Sequence, residues 1–172
     1  NSIKGPDLLL DVFIKAKDHL RDHMLVFAGP DEGLQKSLQQ RAFRNGLESR
    51  VKFTGYLNQE QKSRAYAASS FVVIPSRHEA MSIVVLEAGV TKRPVLLTDQ
   101  CGLDEVGNCG GGIVVSPTVD AISNGLCIMI DELLENNNEM GQNLYRYVEE
   151  NYSWKIIINR FTTLYSDILS RD

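Results

Sequence analysis

The stretch of this sequence best suited to chemistry runs Pro75-Ser76-Arg77-His78-Glu79-Ala80-Met81-Ser82-Ile83-Val84-Val85-Leu86-Glu87-Ala88. It follows an apolar run, turns, and opens a helix. The first N–H groups of a helix have no partner inside it, and the helix dipole favours an anion there. Ser82 suits the N-cap position. Backbone N–H groups around Ser82, Ile83 and Val84 could then hold a diphosphate without any cationic side chain. Glu87 stands among apolar neighbours, which predicts a buried helix. A buried carboxylate needs partners. Helical side chains lean toward the N-terminus, so Glu87 leans toward the anion end, where it could accept hydrogen bonds from a ribose diol. Glu79, on the turn before the helix, faces the same cleft from the other side. Two plainer readings stay open at this point: Glu87 paired with a nearby cation, and Glu79 in solvent.

Elements must position these groups, and the sequence supplies an alternation of them. Short apolar runs predict strands over 25–28, 51–53, 71–74, 94–98 and 112–115. Continuous apolar strands belong to parallel sheets covered on both faces. Helical patterns fill the gaps over 7–20, 32–43, 58–68, 83–90, 120–135, 139–150 and 154–169. Asn58 with Gln61 three residues on reads as a capping box. Asn136-Asn137-Asn138 reads as a short loop. The alternation predicts one α/β domain over 1–172, a three-layer doubly wound parallel sheet. Such sheets bind ligands at the carboxyl ends of their strands, which is where Glu79 falls.

Composition narrows the function. The 172 residues carry a formal net charge of −4, which argues against a nucleic-acid binder. No apolar run approaches a membrane span. Three cysteines, Cys101, Cys109 and Cys127, show no disulfide or zinc spacing, and the histidines stand apart from them. No metal and no cofactor are expected. Gly29-Pro30-Asp31-Glu32-Gly33 lacks the spacing of a phosphate loop and reads as a strand-to-helix turn. Met24 and Met129 are expected in the core, as is Trp154 at one end of the last helix. Arg77 and His78 read as exposed loop residues beside Glu79. Thr98 to Gly102 could line the cleft.

Two glutamates separated by seven residues, after Pro-Ser and before Ala-x5-Pro-Val, resemble the E-x7-E motif of the family-four retaining glycosyltransferases. These are GT-B enzymes, with two Rossmann-like domains facing a cleft. Further fragments resemble that family in order and spacing: Lys4-Gly5-Pro6-Asp7-Leu8-Leu9, Leu25 to Gly29, Val51 to Leu57, Tyr66 to Ser76, and Ser153-Trp154. The resemblance implies a C-terminal, donor-binding domain with a nucleotide diphosphate-sugar as donor. It implies that Glu79 contacts hydroxyls of the donor sugar. Met81, Ser82 and Ile83 would offer backbone N–H groups to the diphosphate, and Glu87 would bind the nucleotide ribose. Lys4 would place its ammonium on the phosphates and stabilise the departing diphosphate. Tyr56 and Leu57 would lie against the base. No metal is implied, because Lys4 and the helix N–H groups take its place.

The resemblance also implies a setting: a cytoplasmic enzyme of polysaccharide or glycoconjugate synthesis, acting on a saccharide or lipid-linked acceptor, with peripheral membrane contact allowed for the full-length protein. The partner would be its own N-terminal acceptor domain, absent from this chain, so the isolated chain is expected to bind donor weakly and transfer nothing. The family places a strand and an arginine before Lys4-Gly5, upstream of Asn1. The expected sheet therefore has an open position between the strands at 25–28 and 71–74. Two departures stand out. Ala80-Met81-Ser82 replaces the family's Gly-Phe-Gly, and Lys92 stands where the family commonly has Gly. Two other classes stay open, another GT-B enzyme such as an epimerase or phosphorylase, and a non-catalytic nucleotide-binding α/β module.

Overall fold

The structure, a computed structural model, describes residues 1–135 and 138–170; Asn136 and Asn137 of the expected loop lie outside them. Among the described residues five strands are present: β1 (Leu25–Phe27), β2 (Val51–Phe53), β3 (Val72–Ile74), β4 (Val95–Thr98) and β5 (Gly112–Val115). Between and after them run α1 (Pro6–Lys15), α2 (Gln35–Arg44), α3 (Gln59–Ala68), α4 (Ile83–Val90), α5 (Glu105–Asn108), α6 (Val119–Glu135), α7 (Glu139–Tyr152) and α8 (Trp154–Leu169). The Asn58–Gln61 capping box forms in both directions.

Differences from the sequence expectation have local causes. The first helix ends at Lys15, not Leu20, and the chain turns on through residue 22. Arg50, far along the sequence, donates to the carbonyls of Lys17, Leu20 and His23 and lies over the Phe13 ring. These bonds satisfy carbonyls that a continuing helix would have used. The second helix starts at Gln35, not Glu32, because the Asp31 carboxylate accepts from the N–H groups of Gly33, Leu34 and Gln35. The one-turn α5 was not expected. Met129 is fully buried, whereas Met24 and Trp154 are exposed, against expectation.

All strand pairs are parallel. β1 pairs with β2, placing Leu25 opposite Val51, and β3-β4-β5 form a second sheet with Val72, Val95 and Gly112 in register. Among the described residues the two sheets share no ladder, so β1 and β3 have not closed on each other. β4 shows the layering. Its side chains alternate between faces: Leu96 enters a core with α1 and α6, while Val95 and Leu97 enter another with α4 and α7. Helices therefore cover both faces, giving three layers. The first core runs across both sheets, joining Leu10, Val12 and Phe13 of α1 to Leu25, Val51, Leu96, Ile122 and Met129. Among the described residues no helix is long and apolar enough to cross a membrane.

Candidate functional site at the carboxyl ends of the strands

Lys4, Glu79 and Ser82 come together past the end of β3, and Glu87 lies one turn into α4. Past β3 the chain passes Pro75 and Ser76, both buried, and reaches Glu79, whose side chain is 10% exposed. The Ser76 hydroxyl donates to one carboxylate oxygen of Glu79, and Lys4 Nζ lies 3.0 Å from the other. Burial pushes the Glu79 carboxyl upward in pKa. The hydrogen bonds from Ser76 and Lys4, the Lys4 charge and the nearby Ser82 hydroxyl outweigh it and hold the pKa below the ordinary value. Glu79 is thus an ionised, partnered group facing Lys4, and not a solvated loop residue.

Its loop is braced from behind by the segment after β4. The Glu79 N–H donates to the Gln100 carbonyl at 2.8 Å, and the Ser82 N–H to that of Cys101 at 3.0 Å. Thr98 Oγ1 donates to the Ser76 carbonyl. Gly102 has φ +67, and a Cβ there would collide with the Ala80 carbonyl oxygen. The two loops therefore lie backbone against backbone, with Thr98 to Gly102 acting as a brace.

Ser82 occupies the N-cap of α4, as its residue type suggests, but its side chain makes no capping bond. Its Oγ is fully buried and, among the described residues, finds no hydrogen-bond partner of good geometry. Its N–H is taken by the Cys101 carbonyl, and among the described residues the N–H groups of Met81, Ile83 and Val84 meet no backbone acceptor, which leaves them to offer at this helix end. The expectation of a buried α4 holds on one face only. Val85, Ala88 and Gly89 are buried, while Ile83 and Val84 at the free helix end, and Val90 at the opposite end, are exposed.

Glu87, one turn further on, is held from α3. Tyr66 donates its hydroxyl at 2.8 Å to one oxygen, and Lys62 pairs with the other. Burial, and then the Glu87 carboxylate, push the Tyr66 pKa upward. The plainer reading of Glu87 as cation-paired is therefore realised, yet its side chain stays 29% exposed. Lys62 and Tyr66 were not singled out in the sequence. Their i, i+4 spacing puts them on one helix face, but nothing local says which helix that face meets. Tyr56 and Leu57 follow β2, where the Gly29 N–H donates to the Gly55 carbonyl; Tyr56 is 76% exposed and Leu57 half-buried. His78 and Arg77 are both exposed, as expected, and Arg77 is also bound to Asp7. The turn at Asp31 is no anion site, since that carboxylate already occupies its N–H groups.

Residues 1–151 match the family model described as "Glycosyl transferases group 1". The chain belongs to this family. The group 1 glycosyltransferase chain is 31% identical over 177 residues to the O-antigen chain mannosyltransferase C of Escherichia coli, covering 96% of this chain and 44% of that protein. Among solved structures, its fold matches a glycosyltransferase from Rickettsia africae with TM-score 0.87 at 19% identity, over 100% of this chain and 46% of that one. It also matches Anabaena HepE, solved in complex with UDP, with TM-score 0.84 at 22% identity, over 97% of this chain and 46% of that one. The chain thus has the Rossmann-like fold of GT-B domains. It spans less than half the length of the curated relatives it matches. Of the departures noted in its sequence, Lys92 takes φ +56, a left-handed conformation that favours glycine. Ala80-Met81-Ser82 folds without any positive φ.

Proposed function

We propose that this chain is the donor-binding domain of a retaining glycosyltransferase, moving a sugar from a nucleotide diphosphate-sugar to a saccharide or lipid-linked acceptor. The observation that carries this reading is the Lys4–Glu79 pair, set beside the free N-terminus of α4 with Glu87 one turn behind. In this reading the diphosphate sits on the N–H groups of Met81 and Ile83, and Ser82 shapes the cradle through its N-cap backbone. Lys4 leaves Glu79 for the phosphates and stabilises the departing diphosphate. Glu79, released, takes hydroxyls of the donor sugar. Glu87 binds the ribose, and Tyr56 with Leu57 lies against the base. Charge on the diphosphate is met by Lys4 and the helix end, so the reading needs no metal and no cofactor. A structural relative supports a sugar donor: HepE was solved with UDP and with UDP-glucose.

The acceptor wall would come from an N-terminal domain of the same protein, in a cytoplasmic enzyme of polysaccharide synthesis. The exposed apolar side chains of α8, among them Trp154, Ile158, Phe161 and Leu164, support a further contact surface, because large apolar patches on a monomer mark interaction sites.

The test is calorimetric titration with UDP, GDP, ADP and dTDP, each with and without Mg²⁺. One of them is expected to bind in the range of about tens of micromolar to millimolar, or about −4 to −6 kcal/mol, with no requirement for Mg²⁺. Glu87→Gln should weaken that binding by roughly 1–3 kcal/mol, the cost of a lost charged hydrogen bond. No binding by any of the four, or binding only with Mg²⁺, would refute the reading.

A further inference from the structure

We propose that Arg77 and Asp7 form a latch that positions Lys4 over Glu79. This rests on the role given to Lys4 above and adds two positioning residues to it. Lys4 ends a three-residue 3-10 turn, Ser2–Lys4, and its side chain is more than half exposed. That turn has little of its own to hold it: the Gly5 N–H donates to the Ser2 carbonyl at 3.1 Å, and the Ile3 N–H to the Asn1 side chain at 2.9 Å. None of its residues is buried. So short a turn does not fix a lysine by itself.

Arg77 reaches both sides of Lys4. Its backbone N–H donates to the Ile3 carbonyl at 2.7 Å, and its Nη1 to the Ser2 carbonyl at 2.6 Å. Its guanidinium forks onto Asp7, Nη1 to one oxygen at 2.9 Å and Nη2 to the other at 2.8 Å. A bidentate arginine–carboxylate pair fixes orientation as well as distance. Arg77 is also two residues before Glu79 on the same loop, so one side chain ties the backbone on either side of Lys4 to the loop that carries its partner. Gly5 completes the join. It has φ +68, and a Cβ there would collide with the Pro75 carbonyl oxygen. The Arg77–Asp7 pair is partly exposed on both sides, and such pairs add little to stability. Its consequence is therefore the place of Lys4 more than the survival of the fold.

The decisive variant is Asp7→Asn in the full-length protein, read by the titration of a ¹³C-labelled Glu79 carboxyl. Removing a negative charge nearby would by itself lower the Glu79 midpoint. Losing the Lys4 contact would raise it. The latch predicts a rise toward the midpoint seen in Lys4→Ala, and no further rise when Asp7→Asn is added to Lys4→Ala. A fall, or no change, overturns the proposal. Arg77→Lys, which keeps the charge and the backbone contact but not the fork, should give a smaller rise and serves should Asp7→Asn fail to fold. As a second readout, Asp7→Asn should weaken UDP, GDP, ADP or dTDP binding, whichever binds, by roughly tenfold, near the low end for a lost charge-assisted contact. That loss should vanish in the Lys4→Ala background; equal losses in both backgrounds would mean that Asp7 does not act through Lys4. If Lys4→Ala alone leaves affinity unchanged, the phosphate role of Lys4 fails, and the Glu79 midpoint still decides the latch.

Discussion

Glu79 keeps its charge in a place where burial alone would take it away. Its folded pKa lies below the ordinary glutamate value because Ser76 and Lys4 outweigh desolvation. The sign of the linkage follows. A carboxylate with a depressed folded pKa contributes stability that is present above the unfolded value of about 4.3 and lost as pH falls through the folded value. Wild type should therefore exceed Glu79→Gln in urea midpoint near neutrality, and the gap should close as the pH drops below about 4. A gap that stays constant down to that pH would mean that Glu79 is not held ionised by these partners. Glu79→Ala should also leave nucleoside diphosphate affinity nearly unchanged while depressing turnover of the full-length protein, since it frees Lys4 but removes the group assigned to the sugar. At this scale the sequence made the main residues of the candidate site legible, because Glu79, Ser82 and Glu87 lie in one contiguous segment and Lys4 belongs to a second. It did not reveal what occupies them in the folded chain. Tyr66 and Lys62 on Glu87, Cys101 on the Ser82 N–H, and Asp7 on Arg77 are contacts made by residues 19 to 70 positions away. Local pattern carries no information about such distances.

Two loops between elements depend on backbone conformations that few residues adopt. Gly102 combines φ +67 with a backbone approach that leaves no room for a Cβ. Gly102→Ala should cost about 2 kcal/mol or more, the sum of a left-handed strain and a clash. It should weaken nucleotide binding as well, since the displaced segment is the one holding Glu79 and Ser82. Wild-type affinity in a folded Gly102→Ala protein would show that the brace is dispensable. Lys92, after α4, takes φ +56 without being glycine. Its ammonium lies 5.0 Å from the Tyr145 ring centroid, so replacing it changes two things at once. Comparing Lys92→Gly with Lys92→Ala removes the ring contact from both. The glycine variant should be the more stable by about 1 kcal/mol in urea unfolding, the reverse of the order at an ordinary helical position. Most elements were legible from the sequence: every strand falls within a residue of its expected ends, because short apolar runs flanked by Gly and Pro have few other uses. The misjudged helix ends are those fixed by side chains. Arg50 caps the turns after α1 from 27 to 33 residues away, and the Asp31 carboxylate delays the start of α2.

The whole molecule is held together by side chains where its backbone is not. β1-β2 and β3-β4-β5 share no ladder among the described residues, so no hydrogen bond of a continuous sheet joins the halves that carry Tyr56 and Glu79. What joins them is the first core. Leu25 and Val51 from one sheet, and Leu96 from the other, pack with the buried face of α1 and with Ile122, Leu126 and Met129 of α6. The two sheets depend on this core unequally. The larger one also has the second core, where Ile74, Val95 and Leu97 meet Val85, Leu144 and Val148. The smaller one has no such support: Leu25, Phe27, Val51 and Phe53 all belong to the first core, and Val26, on the other face of β1, is half exposed. Leu10 is fully buried at the centre of α1. Leu10→Ala should therefore cost about 2–5 kcal/mol through lost burial and the cavity left behind. The loss should also be uneven. In native-state hydrogen exchange, amides bonded between β1 and β2 should lose protection first and most, while those of β4, paired on both sides, should keep more of theirs. Equal loss across both sheets would mean that the domain opens as one unit and that α1 is not the joint between its halves.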